Sequence, residues 1–286
     1  MLDIIPYKLK LYKYKDGIFD NIIDATYIIY TQGNNNRYNN IKEELNKIKP
    51  SKKVYILENK GWRKSKKKEY ITNTSKDLVD CNIHIFKHAK KKNYDNILIL
   101  EDDYIFDKKI EKKYIIKNIE NFILKKKNKS FSFYLGTIPF IFLPYNLNIN
   151  RGLINIYTHS IIFSKKYRNK VLNYNYENID CWDLFQNYFN YNRYYYNIPL
   201  SYQTIEETEN SLNWQVPNIA RKIYLKVAYM LKANKNPIIF FNMFYIFSYI
   251  LIVIIIIIII LIIINLYKIC KKKKNLIFFI ENKRKR

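Results

Sequence analysis

Between residues 25 and 101 the chain switches between short, almost wholly apolar runs and longer polar or amphipathic stretches. "ATYIIYT" (Ala25 to Thr31), "KKVYILE" (Lys52 to Glu58) and "NILILE" (Asn96 to Glu101) are rich in β-branched and aromatic residues. They do not alternate apolar with polar, so they predict strands covered on both faces, as in a parallel sheet. Between the first two lie a polar loop, "QGNNNRYNN", and a charged helix, "IKEELNKI". Between the second and third, Val79, Ile83 and Phe86 recur at helical spacing, with Leu78, Cys81 and Ile85 widening the stripe. Thr74, followed three residues later by Asp77, has capping-box spacing and predicts where that helix starts. The order strand, helix, strand, helix, strand predicts an α/β fold with a mostly parallel sheet flanked by helices. Further on, "SFSFYLGT" predicts a fourth strand, "PFIFLPYNLNINRG" an irregular stretch, and "HSIIFS" a strand running into the helix "KKYRNKVL".

The second pattern is a run that never turns polar. From Met243 to Ile264 there is no charge, and Ser248 is the one clearly polar side chain. At ~1.5 Å per residue such a run spans roughly 33 Å as a helix, enough for a hydrocarbon core of about 30 Å. The expected division is an N-terminal extension (1–23), an α/β domain (24–215), a basic juxtamembrane linker (216–237), a transmembrane helix (238–266) and a basic tail (267–286). The start, "MLDIIPYKLKLYKYKDG", has neither a long apolar core nor a small-residue cleavage site, so no signal peptide is expected. A single-pass C-terminal anchor with the large domain in the cytosol is expected from the late position of the helix. The basic residues behind it, Lys268, Lys271 to Lys274 and the final "KRKR", argue for the opposite orientation by the positive-inside rule. That tail also suits anionic lipid head groups, which makes membrane lipid an expected partner.

Composition changes this picture less than its size suggests. Fifty Lys and Arg against 24 Asp and Glu give a formal charge of +26, which invites a nucleic-acid reading. Only eight of the fifty are Arg, the residue suited to bidentate phosphate or base contacts. Lys, Asn, Ile and Tyr saturate the chain, and all have codons built almost wholly from A and T. Runs such as Lys66 to Lys68 are therefore expected as solvated faces and loops, and no specific nucleic-acid partner is expected. Cys81, Cys181 and Cys270 are too scattered for a disulfide framework or a paired-thiol metal site. Gly17, Gly33, Gly61, Gly136 and Gly152 stand alone, so neither a dinucleotide fingerprint nor a Walker loop exists.

Against that background the end of the third strand stands out. In "ILILEDDYIF" the carboxylates Glu101, Asp102 and Asp103 are flanked on both sides by residues that favour burial. Ligands of open α/β sheets bind outside the carboxyl ends of strands. Carboxylates there can hold Mg²⁺ or Mn²⁺ against phosphate oxygens, where the ion stabilises negative charge on a leaving diphosphate. The plainer alternative is a turn on a basic protein. His84 and His88 stand four apart on one helix, as zinc ligands do, but "HIFKH" lacks the glutamate of such motifs.

"ILILEDDYIF" resembles the metal and nucleotide site of GT-A glycosyltransferases, in particular glycosyltransferase family 25, the group of lipopolysaccharide-type and procollagen galactosyltransferases. Four further segments resemble that group in order and rough spacing over about residues 24 to 210. They are "YIIYTQGNNNR", "YTHSIIFSKKYRNKVL", "NIDCWDL" and "IPLSYQ". The chain departs from the family in lacking a Gly and a Ser-His pair before the acidic strand, and in carrying Tyr157 where a Gly precedes the Thr-His strand. The resemblance implies a GT-A fold and metal-dependent, inverting transfer of a hexose from a nucleotide diphosphate sugar to a glycan or glycoprotein hydroxyl. It implies Asp103 as direct metal ligand, with His159 as a further metal or diphosphate contact. Glu101 and Asp102 would face the nucleoside, and Thr31 and Arg37 would be donor contacts. Asp180 would be the acceptor-side base, with Asp183 in reserve and Gln203 a weaker position. The departures leave a second expectation, a degenerate, non-catalytic relative serving as a membrane scaffold.

Overall fold

The computed structural model describes residues 6–205 and 218–284. By internal contacts the chain forms two units, Met1–Tyr245 and Ile246–Arg286. The first is a mixed α/β domain on a seven-stranded sheet. Its strands are β1 (Tyr7–Lys13), β2 (Ala25–Thr31), β3 (Lys53–Asn59), β4 (Asn96–Glu101), β6 (Ser132–Pro144), β7 (Ile149–Ser164) and β8 (Arg193–Tyr196). They lie in the order β1-β3-β2-β4-β7-β6-β8. Two short strands, β5 (Tyr104–Phe106) and β9 (Ser201–Gln203), pair separately.

The parallel part is the centre. β2 pairs in parallel with β3 on one side and with β4 on the other. Helix α1 (Asn35–Lys47) makes the first crossover and α2 (Thr74–Lys91) the second. The strand order therefore reverses direction at β2, and the C-terminal ends of β2 and β4 flank the switch point. A crevice outside such a point is where open α/β sheets bind ligands. Outside this centre β1, β4 and β7 enter antiparallel pairs, so the sheet is mixed rather than mostly parallel throughout.

Helices cover both faces. On one, Ile41 and Leu45 of α1, with Ile115, Ile119 and Phe122 of α3 (Lys113–Lys125), pack on Ile28, Val54, Leu98 and Phe133. On the other, Phe86 of α2 meets Phe163, Tyr167 of α4 (Lys165–Leu172) and Trp182 of α5 (Trp182–Phe189). Burial on both faces is why the central strands carry unbroken apolar runs.

Local details differ from the sequence expectations for identifiable reasons. α1 begins inside the Asn-rich loop, because Asn34 accepts the Arg37 N–H at 3.2 Å and caps a helix there. α2 is capped by Asn73, not Thr74: its side chain accepts from Lys76 N at 2.8 Å. Asp77 serves another purpose. It is buried with Lys67, whose side chain is only 2% exposed, and the pair is joined by Tyr7 and Asn59. Lys67 is thus no solvated member of its lysine run, and the stretch ahead of residue 24 supplies an edge strand. β6 and β7 take up most of the segment expected to be irregular and leave a short turn at 145–148, because β7 pairs with β6 across several register shifts as far as Pro144.

The segment expected as a linker contains helix α6 (Asn218–Met230), and the last helix, α7, begins at Ile238. Leu225, Ala228, Ala233, Phe240 and Phe241 form a second core with Ile138, Tyr202 and Ile205. Among the described residues one helix is long and apolar enough to cross a membrane, Ile238–Lys272, with mean hydropathy 3.7 in its most apolar stretch. It is a candidate membrane anchor.

Candidate functional site

β4 ends at Glu101, and Asp102 and Asp103 form the turn that leads into β5. Because β5 is held by β9 and β4 by β2, this acidic turn is pinned from two sides. Asp102 and Asp103 are 5% and 6% exposed, so their charge needs partners rather than water. Arg37, in the first turn of α1, supplies them: its guanidinium contacts Asp102 Oδ1 and lies 3.3 Å from Asp103 Oδ2. The Thr31 N–H, at the end of β2, donates to Asp102 Oδ2 at 3.3 Å. Asn40, one helical turn past Arg37, donates to the main-chain carbonyls of Asp102 (3.1 Å) and Tyr104 (3.2 Å). Gln203 of β9 donates to Asp103 Oδ2 at 3.0 Å.

One oxygen is left over. Asp103 Oδ1 is buried and accepts no hydrogen bond. Burial raises the Asp103 carboxyl to a pKa of about 6, with Arg37 opposing and Asp102 adding to the rise. Glu101 is pushed well above the ordinary carboxylate range by burial first, then by the charges of Asp103, Asp183 and Asp102. The fourth acid, Asp183, opens α5 and accepts the Tyr157 N–H at 3.1 Å and the Thr158 hydroxyl. Burial raises its pKa too, against those two donors. Tyr157 reaches it by adopting φ +70°, a left-handed conformation that costs a side-chain-bearing residue roughly 1–2 kcal/mol. Tyr157 thus holds a backbone conformation that glycine would adopt more readily. The Tyr157 hydroxyl meets that of Tyr224 on α6.

Beside the acids, at the ends of β2 and β3, lies a cavity of about 270 Å³. Thr31, Asn59, Gly61, Trp62, Arg63 and Lys64 are among its lining residues. The Arg63 guanidinium sits 4.9 Å from the Trp62 ring centre. An aromatic ring beside cationic groups suits a flat ring bearing phosphate.

No protein-family model and no curated protein matches this chain.

Of the positions singled out in the sequence, the fold brings together Thr31, Arg37, Glu101, Asp102, Asp103, Asp183 and Gln203. It does not bring Asp180: that carboxylate is exposed and pairs with Lys76 at 3.2 Å. His159 is fully buried, its ring packed against Tyr157 and Phe241. Burial lowers its pKa to about 3, so it is neutral. His84 and His88 are packing residues: His84 lies on the Tyr7 ring, and His88 Nδ1 bonds the Tyr27 hydroxyl at 2.7 Å. Trp182 is core, and Trp214 lies outside the described residues. Asn40, Thr158 and the Trp62–Lys64 wall were missed. Asn40 had a signal, since it lies at i+3 from Arg37 and shares its helix face.

Among the described residues no three His, Cys, Asp or Glu side chains surround a common point as a closed metal cage. An open site needs less: Mg²⁺ and ions like it are held by one or two carboxylates plus substrate phosphates. The unpartnered Asp103 Oδ1 and the mutually repelling acids fit that arrangement. Hard oxygen donors of this kind suit Mg²⁺ or Mn²⁺.

Proposed function

We propose that this chain is a membrane-anchored, metal-dependent glycosyltransferase of GT-A type. It transfers a hexose from a nucleotide diphosphate sugar, UDP-linked by preference, to a hydroxyl of a glycan or glycoprotein. The observation that carries the reading is the buried carboxylate group at the sheet's switch point, with a free oxygen on Asp103 and a cationic, Trp-lined cavity beside it. In this reading Asp103, assisted by Glu101, holds Mn²⁺ or Mg²⁺. The bound ion supplies charge stabilisation for the departing diphosphate. Arg37 orients Asp102 and Asp103 and limits their mutual repulsion. Trp62, Arg63 and Lys64 bind the nucleotide. Asp183, fixed by two donors and with a raised proton affinity, takes the proton from the acceptor hydroxyl as its oxygen attacks the anomeric carbon. The bond from that carbon to the diphosphate breaks on the opposite face, with inversion. The candidate anchor holds this chemistry at a membrane, with the domain on the cytosolic side.

One observation favours a second reading, a non-catalytic relative retained as a membrane scaffold: Arg37 already neutralises two of the three acids of the turn. Calorimetric titration of UDP into the full chain in detergent, with and without Mn²⁺, separates the two. The transferase reading expects Mn²⁺-dependent binding that Asp103→Ala eliminates while the circular dichroism spectrum is retained. Absence of binding by folded protein, with GDP also tried, supports the scaffold.

A further inference from the structure

Helix α6 is apolar on two opposite sides. Its inner side, with Tyr224, Leu225 and Ala228, packs into the second core. Its outer side carries Ile219, Ile223, Val227 and Met230, exposed by 73%, 59%, 37% and 74%. Their spacing, i, i+4, i+8 and i+11, sets them in one stripe along the helix. Single exposed apolar residues are ordinary, but a continuous stripe marks a surface that something covers. Beside it runs an open groove of about 670 Å³ lined by Arg221, Lys222, Lys226 and Tyr229.

Two features identify the occupant. The flank of the stripe is basic, which complements anionic head groups, whereas a second copy would set Lys222 and Lys226 near their own counterparts. The segment 231–237 also ties the helix to Ile238, where the membrane-length helix begins. Even fully extended it reaches only about 25 Å, and Phe240 and Phe241 just beyond it pack in the same core as α6, so the chain between α6 and the freely apolar part of the anchor is short.

We propose that α6 is an interfacial helix, its outer stripe seated in the surface of an anionic bilayer with Lys222 and Lys226 on lipid phosphates. The inner side of the same helix carries Tyr224, whose hydroxyl meets Tyr157, and the Tyr157 N–H holds Asp183. Seating α6 on lipid therefore fixes one wall of the carboxylate group. The proposal does not depend on the reaction proposed above.

The test uses the full chain with Cys181→Ser and Cys270→Ser, Cys81 being buried. Nitroxides are placed at Ile223→Cys or Met230→Cys, and the protein is reconstituted in phosphatidylcholine vesicles with or without phosphatidylglycerol. Collision with oxygen, which concentrates in lipid, is compared with collision with an aqueous nickel chelate. The expected result is a several-fold rise in the oxygen-to-chelate ratio at both positions in anionic vesicles, abolished by Lys222→Glu/Lys226→Glu. Equal chelate access in both lipids would overturn the proposal. So would labels shielded from both reagents and broadened by a neighbouring spin, which is the signature of a second copy.

Discussion

Replacing Arg37 by methionine keeps much of the side-chain volume and removes the one cation, among the described residues, that contacts both Asp102 and Asp103. At an effective dielectric of about 20, unit charges near 3.3 Å attract by roughly 5 kcal/mol, most of it offset by desolvation. Removing one partner of a buried pair costs about 3–5 kcal/mol, because the other charge is stranded. Arg37 is 25% exposed, so water screens part of this and the lower end, about 3 kcal/mol, is expected near pH 7.5. For a domain of this size that is a fall in Tm of about 6–12 °C. The loss depends on pH with a definite sign. In the folded protein Asp103 has a pKa of about 6, above the unfolded value of about 3.9. The folded state thus holds this proton more tightly, and stability from it is present below the unfolded pKa and lost as pH rises through 6. Without Arg37, which pulls that pKa down, the window of loss moves upward. Near pH 5 Asp103 is protonated in both proteins, and the penalty should shrink, because Arg37 then has one ionised partner fewer to stabilise. Thermal melts followed by near-ultraviolet circular dichroism in detergent, at both pH values, provide the assay. A penalty that is equal at both, or under about 1 kcal/mol near neutrality, would refute the claim that this guanidinium stabilises ionised acids. Mn²⁺ should raise the Tm of the variant more than that of the parent, by restoring positive charge.

Asp180→Ala should leave stability, and in the proposed transferase reading UDP-sugar turnover, nearly unchanged, since Asp180 is exposed and its pair with Lys76 contributes about 0–1 kcal/mol. Asp183→Asn should reduce kcat by at least about 10²-fold with folding retained, and the reverse ranking would restore Asp180 as the base. Phe241→Ala should cost about 3–5 kcal/mol, as the ring is fully buried against His159 and Tyr202. A fragment ending near residue 232 should accordingly melt well below one ending at 245, by differential scanning fluorimetry. Gly136→Ala should destabilise by about 1–3 kcal/mol or more, because a Cβ there would run into the Ser201 carbonyl and the His159 ring. An unchanged melting curve would show that β6 and β9 yield more readily than their packing implies.

Much of the sheet was legible because burial on both faces leaves a local trace. The runs at 25–31, 52–58 and 96–101 each hold four successive apolar positions, and no distant contact is needed to see them. The acidic turn was legible for the opposite reason: three adjacent anions between residues that favour burial are a contradiction that calls for a cation or a proton. What partners a group chooses across the chain left no such trace. Whether Asp77 closes a capping box or pairs with Lys67, and whether Lys67 is solvated or buried, depends on where β1 docks. The same holds for Asp180 and Asp183, three residues apart in sequence, of which the resemblance favours the first. The start of α5 turns one toward Lys76 at the surface and the other under the Tyr157 N–H. The basic stretch before the apolar helix likewise reads as a linker, because its inner face finds its partners, Tyr202 among them, on distant strands. The sequence by itself determined the three central strands, the acidic turn and the membrane-length helix, since each rests on neighbours in the chain. The tertiary structure alone decided which carboxylates share a site, because desolvation and ion pairing are set by groups brought together from up to a hundred residues away, as Gln203 is to Asp103.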